Sequence, residues 1–246
     1  MRKITILSMD LDNECTTRCV LMAKALRRKY DVEILGLLWQ SRYRASRSVW
    51  PYFRDLDIPI TAVEGRPWPG FAKTAARLLK RIDGDVVIAC KSRPASYGIA
   101  LLNRVLRRVP VILDVDDDEV AITELTYGRG RWLSIGHPNG YRATRLVYLL
   151  RRRADAVTCV SERFCREYGG IIAPHARDPA EYDPAVRDGV ALRRSLGFSR
   201  NDHVIGFIGT PRRMKGIHVL LDALDKLHRP NVKLLIVGAA EGVSDV

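Results

Sequence analysis

Short, nearly continuous apolar runs alternate with longer stretches of helical period along most of the chain. The runs Ile4–Ser8, Val32–Leu38, Ile58–Val63, Asp85–Ala89, Pro110–Leu113, Ala156–Val160 and Gly170–Ala173 read as strands. Between them, Thr16–Tyr30, Phe71–Ile82, Ala95–Arg108, Tyr141–Arg153 and Glu162–Tyr168 read as helices. In the first helix Val20, Leu21, Ala23, Ala25 and Leu26 supply the apolar face, and Arg27, Arg28 and Lys29 close it. In the third, Ile99, Leu101, Leu102, Val105 and Leu106 are expected in the core. Gln40–Arg47 reads as a polar loop or a helix start, and 120–139 as a long polar, glycine-bearing loop of the kind that carries function. Strands alternating with helices over this length predict an α/β fold with a doubly wound, parallel, Rossmann-like sheet.

Pro174–Pro184 holds three prolines and no periodicity, the signature of a linker. The pattern divides the chain into a domain over 1–174, a linker over 175–200 with a short helix at Val190–Leu196, and a second Rossmann-like domain begun over 201–246. That second part is one βαβ unit. Strand Val204–Ile208 leads through a glycine-containing turn to a helix with Val219, Leu220, Leu221 and Leu224 on its apolar face, then to strand Val232–Gly238. The turn carries Arg212, Arg213 and Lys215. Cations where a strand hands over to a helix N-terminus suit a phosphate, although a solvated surface turn would look the same. The corresponding turn of the first βαβ unit, Met9–Thr17, contains no glycine, so the dinucleotide fingerprint is absent and NAD or FAD is not expected there.

Composition narrows the partners. A hydrophobic content of 47% in 246 residues supports a real core, and a net charge of +13 implies anionic partners. Nucleic acid is not expected, because aromatics are only 7% and no binding module is recognisable. Helices 71–82, 95–108 and 141–153 combine apolar and cationic faces, which suits either solvated arginines or docking on an anionic membrane. Five scattered cysteines, with no C-x-x-C pair and no histidines clustered near them, read as free thiols in a reducing compartment, without a metal site. No signal peptide or membrane span is evident, so the expected location is cytoplasmic, with contact at the inner face of the membrane.

The run Gly209-Thr-Pro-Arg-Arg-Met-Lys-Gly216, followed by a helix containing Leu-Leu-Asp-Ala-Leu224, resembles the donor-phosphate loop of retaining glycosyltransferases of family 4, which have the GT-B fold. Three further stretches match in order. Thr17-Arg18 and the helix they open resemble the family's beginning. Arg153–Ser161 resembles its late strand ending in Ser, and Tyr168–Asp178 resembles its Pro-Asn-Gly-x-Asp turn, here Pro174-His-Ala-Arg-Asp178. The resemblance implies a nucleotide-diphosphate sugar as co-substrate, a glycan or lipid-linked acceptor, surface polysaccharide or glycoconjugate synthesis, and no bound metal or other cofactor. It assigns Gly209, Arg212, Lys215 and Gly216 to the donor diphosphate. The family's usual arginine position is Thr210 here, so Arg212 stands in for it and Arg213 is the lesser substitute. Thr17, Arg18 and His175 fall on the acceptor side.

The acidic run Asp114-Val-Asp-Asp-Asp-Glu119 follows a strand at the edge where parallel sheets bind ligands. It reads as a solvated loop or helix start, as a D-x-D metal site through Asp114 and Asp116, or as the family's acceptor pocket. In the last reading Asp116 takes the place of the family's His and Asp117 that of its Asp, and both count as catalytic candidates. That reading is preferred to the metal one, because the later phosphate-loop unit does not belong with a D-x-D architecture. His137, Ser92, Arg93 and Ser161 read as structural. Nothing in 239–246 resembles the family's Glu-x7-Glu segment, so a truncated second domain, inactive by itself or completed by another polypeptide, is expected. The competing class is a non-catalytic Rossmann-like binding or membrane-associated module.

Overall fold

A computed structural model describes residues 1–12, 14–39, 48–49, 53, 56–128, 130, 135–186, 188–211 and 215–238. Gln40–Arg47 lie outside them, as do Arg212, Arg213 and residues 239–246. The chain forms two compact units, Met1–Arg177 and Asp178–Val246, so the segment read as a linker belongs to the second unit from Asp178 on.

The first unit is built on a seven-stranded sheet: β1 (Lys3–Ser8), β2 (Asp31–Leu38), β3 (Ile60–Glu64), β4 (Val86–Cys90), β5 (Val111–Val115), β6 (Ala156–Cys159) and β7 (Ile171–Ile172). The order is β3-β2-β1-β4-β5-β6-β7, every pairing parallel. The direction of winding reverses between β1 and β4, which makes their carboxyl ends the ligand-binding edge of such a sheet. Alternation along β1 divides the core into two layers. Ile4 and Ile6 pack with Cys19, Val20 and Ala23 of α1 (Thr17–Leu26). Leu7 belongs to the other layer, with Phe71 and Leu78 of α2 (Phe71–Arg81) and Ile99 and Ala100 of α3 (Ile99–Arg107).

Three expectations are corrected. The supposed loop 120–139 opens with a helix, α4 (Glu119–Tyr127); Asp118 caps it by accepting from the Ala121 amide at 3.0 Å, and Gly128 ends it. On α3, Leu102, Val105 and Leu106 are not core: they are 43%, 75% and 64% exposed, because no described element covers that side of the helix. Ala25 of α1 likewise faces solvent, with Arg18 taking a buried place instead. The rest of the unit comprises α5 (Tyr141–Leu149) and α6 (Glu162–Tyr168). The return from α6 into β7 passes through Gly170 at φ +124, where an added Cβ would lie 2.3 Å from the Val157 carbonyl oxygen.

The second unit holds α7 (Gly189–Ser195), β8 (His203–Ile208), α8 (Ile217–Leu227) and β9 (Val232–Val237). β8 and β9 pair in parallel as a two-stranded sheet. Its apolar residues are poorly covered: Ile208 is 85% exposed, and Val219 and Leu221 of α8 face solvent rather than the sheet, while Leu220 and Leu224 are half-buried.

Candidate functional site

Where β1, β4 and β5 end, their loops and the start of α1 enclose an open cavity of about 220 Å3. It is lined by Glu14, Cys15, Thr17, Arg18, Lys91, Asp116, Asp117 and His175. The wall nearest α1 is set by hydroxyls. Ser8 at the end of β1 meets Thr16 at 2.8 Å, and the Thr16 hydroxyl donates to the Asp10 carbonyl at 2.6 Å, which turns the glycine-free β1–α1 loop into the helix.

Arg18 and Asp114 form the frame. The guanidinium donates to both Asp114 oxygens, Nε at 2.9 Å and Nη2 at 2.8 Å, and to the carbonyls of Ala173 and Pro174. Thr158 on β6 donates to the same carboxylate at 2.6 Å. Both charged groups are buried, and a bidentate pair with its remaining lone pairs filled is the arrangement that makes burial tolerable. The hydrogen bonds of Arg18 are thus made to the protein itself, tying α1 to β5 and to the turn that carries His175. Asp114 is thus taken up by Arg18 and Thr158, and the acidic cluster of Asp116, Asp117 and Glu119 does not include it.

Lys91 is the residue that sequence reasoning passed over. It follows β4 with φ +72, an uncommon conformation for a side chain of its size, held by its own N–H to the Asp114 carbonyl at 2.9 Å. The turn aims the ammonium into the acidic run: Nζ meets Asp116 and Glu119 at 3.0 Å each, and Asp117 as well. Arg93 takes the other Glu119 oxygen and the Asn139 carbonyl at 2.9 Å. Burial opposes the charge on Lys91, but Glu119, Asp116 and Asp117 together overcome it and hold the pKa above its usual value. The reverse holds for Asp116, where burial comes first and Asp117 adds repulsion; Lys91 offsets only part, and the carboxyl is pushed up to about 6. Three carboxylates share one ammonium, so both partners are raised. The signal in the sequence was a lysine immediately after a strand of a parallel sheet, opposite an acidic run after its neighbour.

Asp116, Asp117 and Glu119 have oxygens within 4.8 Å of one another, close enough to hold a metal ion. The Lys91 ammonium already bonds all three, so a divalent ion would have to displace it. His175 lines the cavity and is held below its usual pKa by burial and by Arg18 and Arg177, which keeps its imidazole neutral at neutral pH. Burial and the nearby Asp10 push the Cys15 thiol up, and it donates to the Asp10 carbonyl at 3.3 Å. His137 instead packs 4.5 Å from the Trp39 ring. Ser92 is buried beside the Tyr168 hydroxyl, and Ser161 caps α6.

In the second unit, the turn after β8 brings together Gly209, Lys215 and Gly216. Gly209 adopts φ +135, and a Cβ placed there would lie 3.4 Å from the Lys215 ammonium. Gly238 closes the other side, since its own Cβ would fall 2.1 Å from the Gly209 carbonyl oxygen. Gly216 starts α8 in the left-handed region, at φ +73. Lys215 therefore lies over bare backbone at a helix N-terminus.

A Rossmann-like unit on a seven-stranded parallel sheet, followed by the two-stranded βαβ start of a second, matches the GT-B fold of solved structures. A glycosyltransferase from Rickettsia africae superposes with a TM-score of 0.58 at 17% identity over 96% of this chain and 60% of its own. An α-glucosyltransferase solved with UDP and DNA gives 0.56 at 15%, covering 95% and 56%. The S. aureus MnaA–UDP structure gives 0.56 at 12%, covering 98% and 63%. Residues 15–178 match the family described as the glycosyl transferase 4-like domain, and the chain belongs to that family. A D-inositol 3-phosphate glycosyltransferase from Segniliparus rotundus is 34% identical over 88 residues, 31% of this chain and 20% of that protein. The chain thus spans roughly three fifths of these solved structures, and its match covers one fifth of that relative.

Proposed function

We propose that the chain carries the acceptor site and the diphosphate loop of a retaining glycosyltransferase. The reaction moves a sugar from a nucleotide-diphosphate sugar to a hydroxyl of a glycan or lipid-linked acceptor in surface polysaccharide or glycoconjugate synthesis. The observation that carries this reading is the Gly209–Lys215 turn, an ammonium laid over bare backbone where β8 hands over to α8. During transfer the bond from the anomeric carbon to the diphosphate breaks, the acceptor oxygen bonds to the same face, its proton passes to the departing diphosphate oxygen, and that diphosphate gathers negative charge. Lys215 and the first amides of α8 oppose that charge where it grows, with Arg212 assigned the same task. Asp116 and Asp117 hold the acceptor hydroxyl by accepting its proton in a hydrogen bond, with Thr17 and His175 at the rim and Arg18 fixing the wall.

UDP, bound in two of the solved structures, is the first nucleotide to test. Calorimetry should show the chain binding UDP or GDP, and Lys215→Ala should weaken that binding roughly tenfold, the scale of one charge-assisted contact. Equal binding by the variant, or no binding by the chain, overturns the reading. A phosphorylated polyol, the class in the name of the S. rotundus relative, is one acceptor to consider. A neutral or amine-bearing sugar is another.

A membrane-facing surface belongs to the same proposal. A groove of about 370 Å3 between α2 and α3 is lined by Trp68, Ala72, Ala76, Leu79, Ile99 and Leu102 among others. It continues into the exposed Val105 and Leu106, while Lys73, Arg77 and Lys80 run beside it along the exposed side of α2. An apolar strip flanked by a basic row fits an anionic bilayer.

A further inference from the structure

The chain as a whole is strongly basic, but the cavity at the carboxyl ends of β1, β4 and β5 is not. Its buried cations are already engaged. Arg18 is bound to Asp114 and two backbone carbonyls, and Lys91 to Asp116, Asp117 and Glu119. Arg93, behind Lys91, is bound to Glu119 and the Asn139 carbonyl. Glu14 and Asp117 add partly exposed carboxylates at the mouth, and Glu14 has no cationic partner among the contacts seen at the cavity. Five carboxylates (Glu14, Asp114, Asp116, Asp117, Glu119) thus stand against four cations: Arg18, Lys91 and Arg93, and the exposed Arg177 beside His175, which donates to the Ala176 carbonyl. His175, although exposed, adds little positive charge: partial desolvation and the neighbouring Arg18 and Arg177 hold its imidazole below its usual pKa. Of the other charged groups nearby, Asp118 is paired with Arg163 outside the cavity, and Asp10 is a further carboxylate behind Cys15. The free hydrogen-bonding capacity of the walls is mainly that of acceptors, the carboxylate oxygens, with the Thr17 hydroxyl and the His175 imidazole able to donate as well as accept.

We infer that this cavity selects an acceptor that presents hydroxyl or amine donors and carries no phosphate on the ring it holds. The inference rests on the reading of the cavity as the acceptor site. A polyol satisfies the surplus oxygens of Asp116 and Asp117 with its own O–H groups. An ammonium gains further from the excess negative charge. A phosphate monoester meets carboxylates at the mouth and would have to take Arg18 or Lys91 from a buried carboxylate, which leaves that carboxylate unpaired.

Chemical-shift titration of the 15N-labelled chain distinguishes the cases, followed at the Thr17 and Lys91 amides. The probes are myo-inositol, D-glucosamine and myo-inositol 1-phosphate at one ionic strength. Expected are shifts at both amides with myo-inositol, tighter binding of glucosamine, and binding of the phosphate at least about tenfold weaker, a modest share of a like-charge penalty. Replacing the two solvent-accessible carboxylates (Glu14→Gln with Asp117→Asn) should bring the phosphate and the neutral polyol to within about threefold. Glu14→Gln alone, at an exposed position, should narrow the gap by less. Phosphate binding as tight as the polyol at the same amides overturns the inference and leaves the acceptor reading standing. No shift at Thr17 and Lys91 with any probe overturns both.

Discussion

Asp116 shows how a single side chain records the conflict between stability and use. Burial and the crowding of Asp117 and Glu119 raise its carboxyl from 3.8 to about 6. An acid whose pKa is raised on folding holds, in the native state, a proton that the unfolded chain has already lost. Its stabilising contribution is therefore present below about pH 4 and is lost as pH rises through about 6. At neutral pH the ionised carboxylate costs up to about 3 kcal/mol. Asp116→Asn is expected to raise the thermal midpoint at pH 7.5 by a few degrees, with the gain vanishing near pH 4.5. Calorimetric scans at the two pH values check this, and a variant less stable at pH 7.5 by the same margin as at pH 4.5 would contradict it. A charge kept in place against stability is what a binding site requires. Lys91 belongs to the same account. Its left-handed backbone serves no helix or strand end that glycine could not serve, yet it delivers the ammonium to three carboxylates.

At the scale of elements, most strands were legible because parallel strands covered on both faces are continuous apolar runs. The helix α4 was not. Its sequence, Glu-Val-Ala-Ile-Thr-Glu-Leu-Thr-Tyr127, mixes β-branched and polar residues, and the acidic run before it drew the eye to loop chemistry. The decisive signal was Asp118 as its cap. Asp118→Ala should cost about 1 kcal/mol, read as a lower urea midpoint. Because Glu119 opens α4 and also bonds Lys91 and Arg93, the same change should speed amide hydrogen exchange at Ala121–Thr123. Unchanged exchange there would separate the cap from the site. The basic turn at Gly209–Gly216 was legible as a motif, but the closeness of Lys215 to Gly209 depends on Gly238 at the end of β9, a pairing made by the sheet.

At the scale of the molecule, the net charge of +13 and the exposed apolar strip on α3 belong to one prediction. The chain should co-sediment with vesicles rich in phosphatidylglycerol and only weakly with phosphatidylcholine. The pair Val105→Gln and Leu106→Gln, at exposed positions, should reduce that binding roughly tenfold while leaving the circular dichroism spectrum unchanged. Binding that survives the double change, or that ignores lipid charge, removes the membrane surface from the proposal. No described helix is long and apolar enough to cross a membrane.

Local order in the chain was enough to establish the class. Apolar period, proline punctuation and the spacing of glycines and cations carry the α/β alternation and the second βαβ unit, because each arises between residues close in sequence; the glycosyltransferase 4-like character came from the resemblance of four ordered stretches to that family. The charge of the cavity could not be read that way. Nothing in the local sequence pairs Arg18 or Lys91 with a carboxylate; the sheet order β1-β4-β5 brings them beside Asp114 and Asp116–Glu119. Leu102, Val105 and Leu106 looked like core until the packing of α3 left them uncovered. Pairing and burial are properties of distances across the fold, and only the tertiary structure sets those.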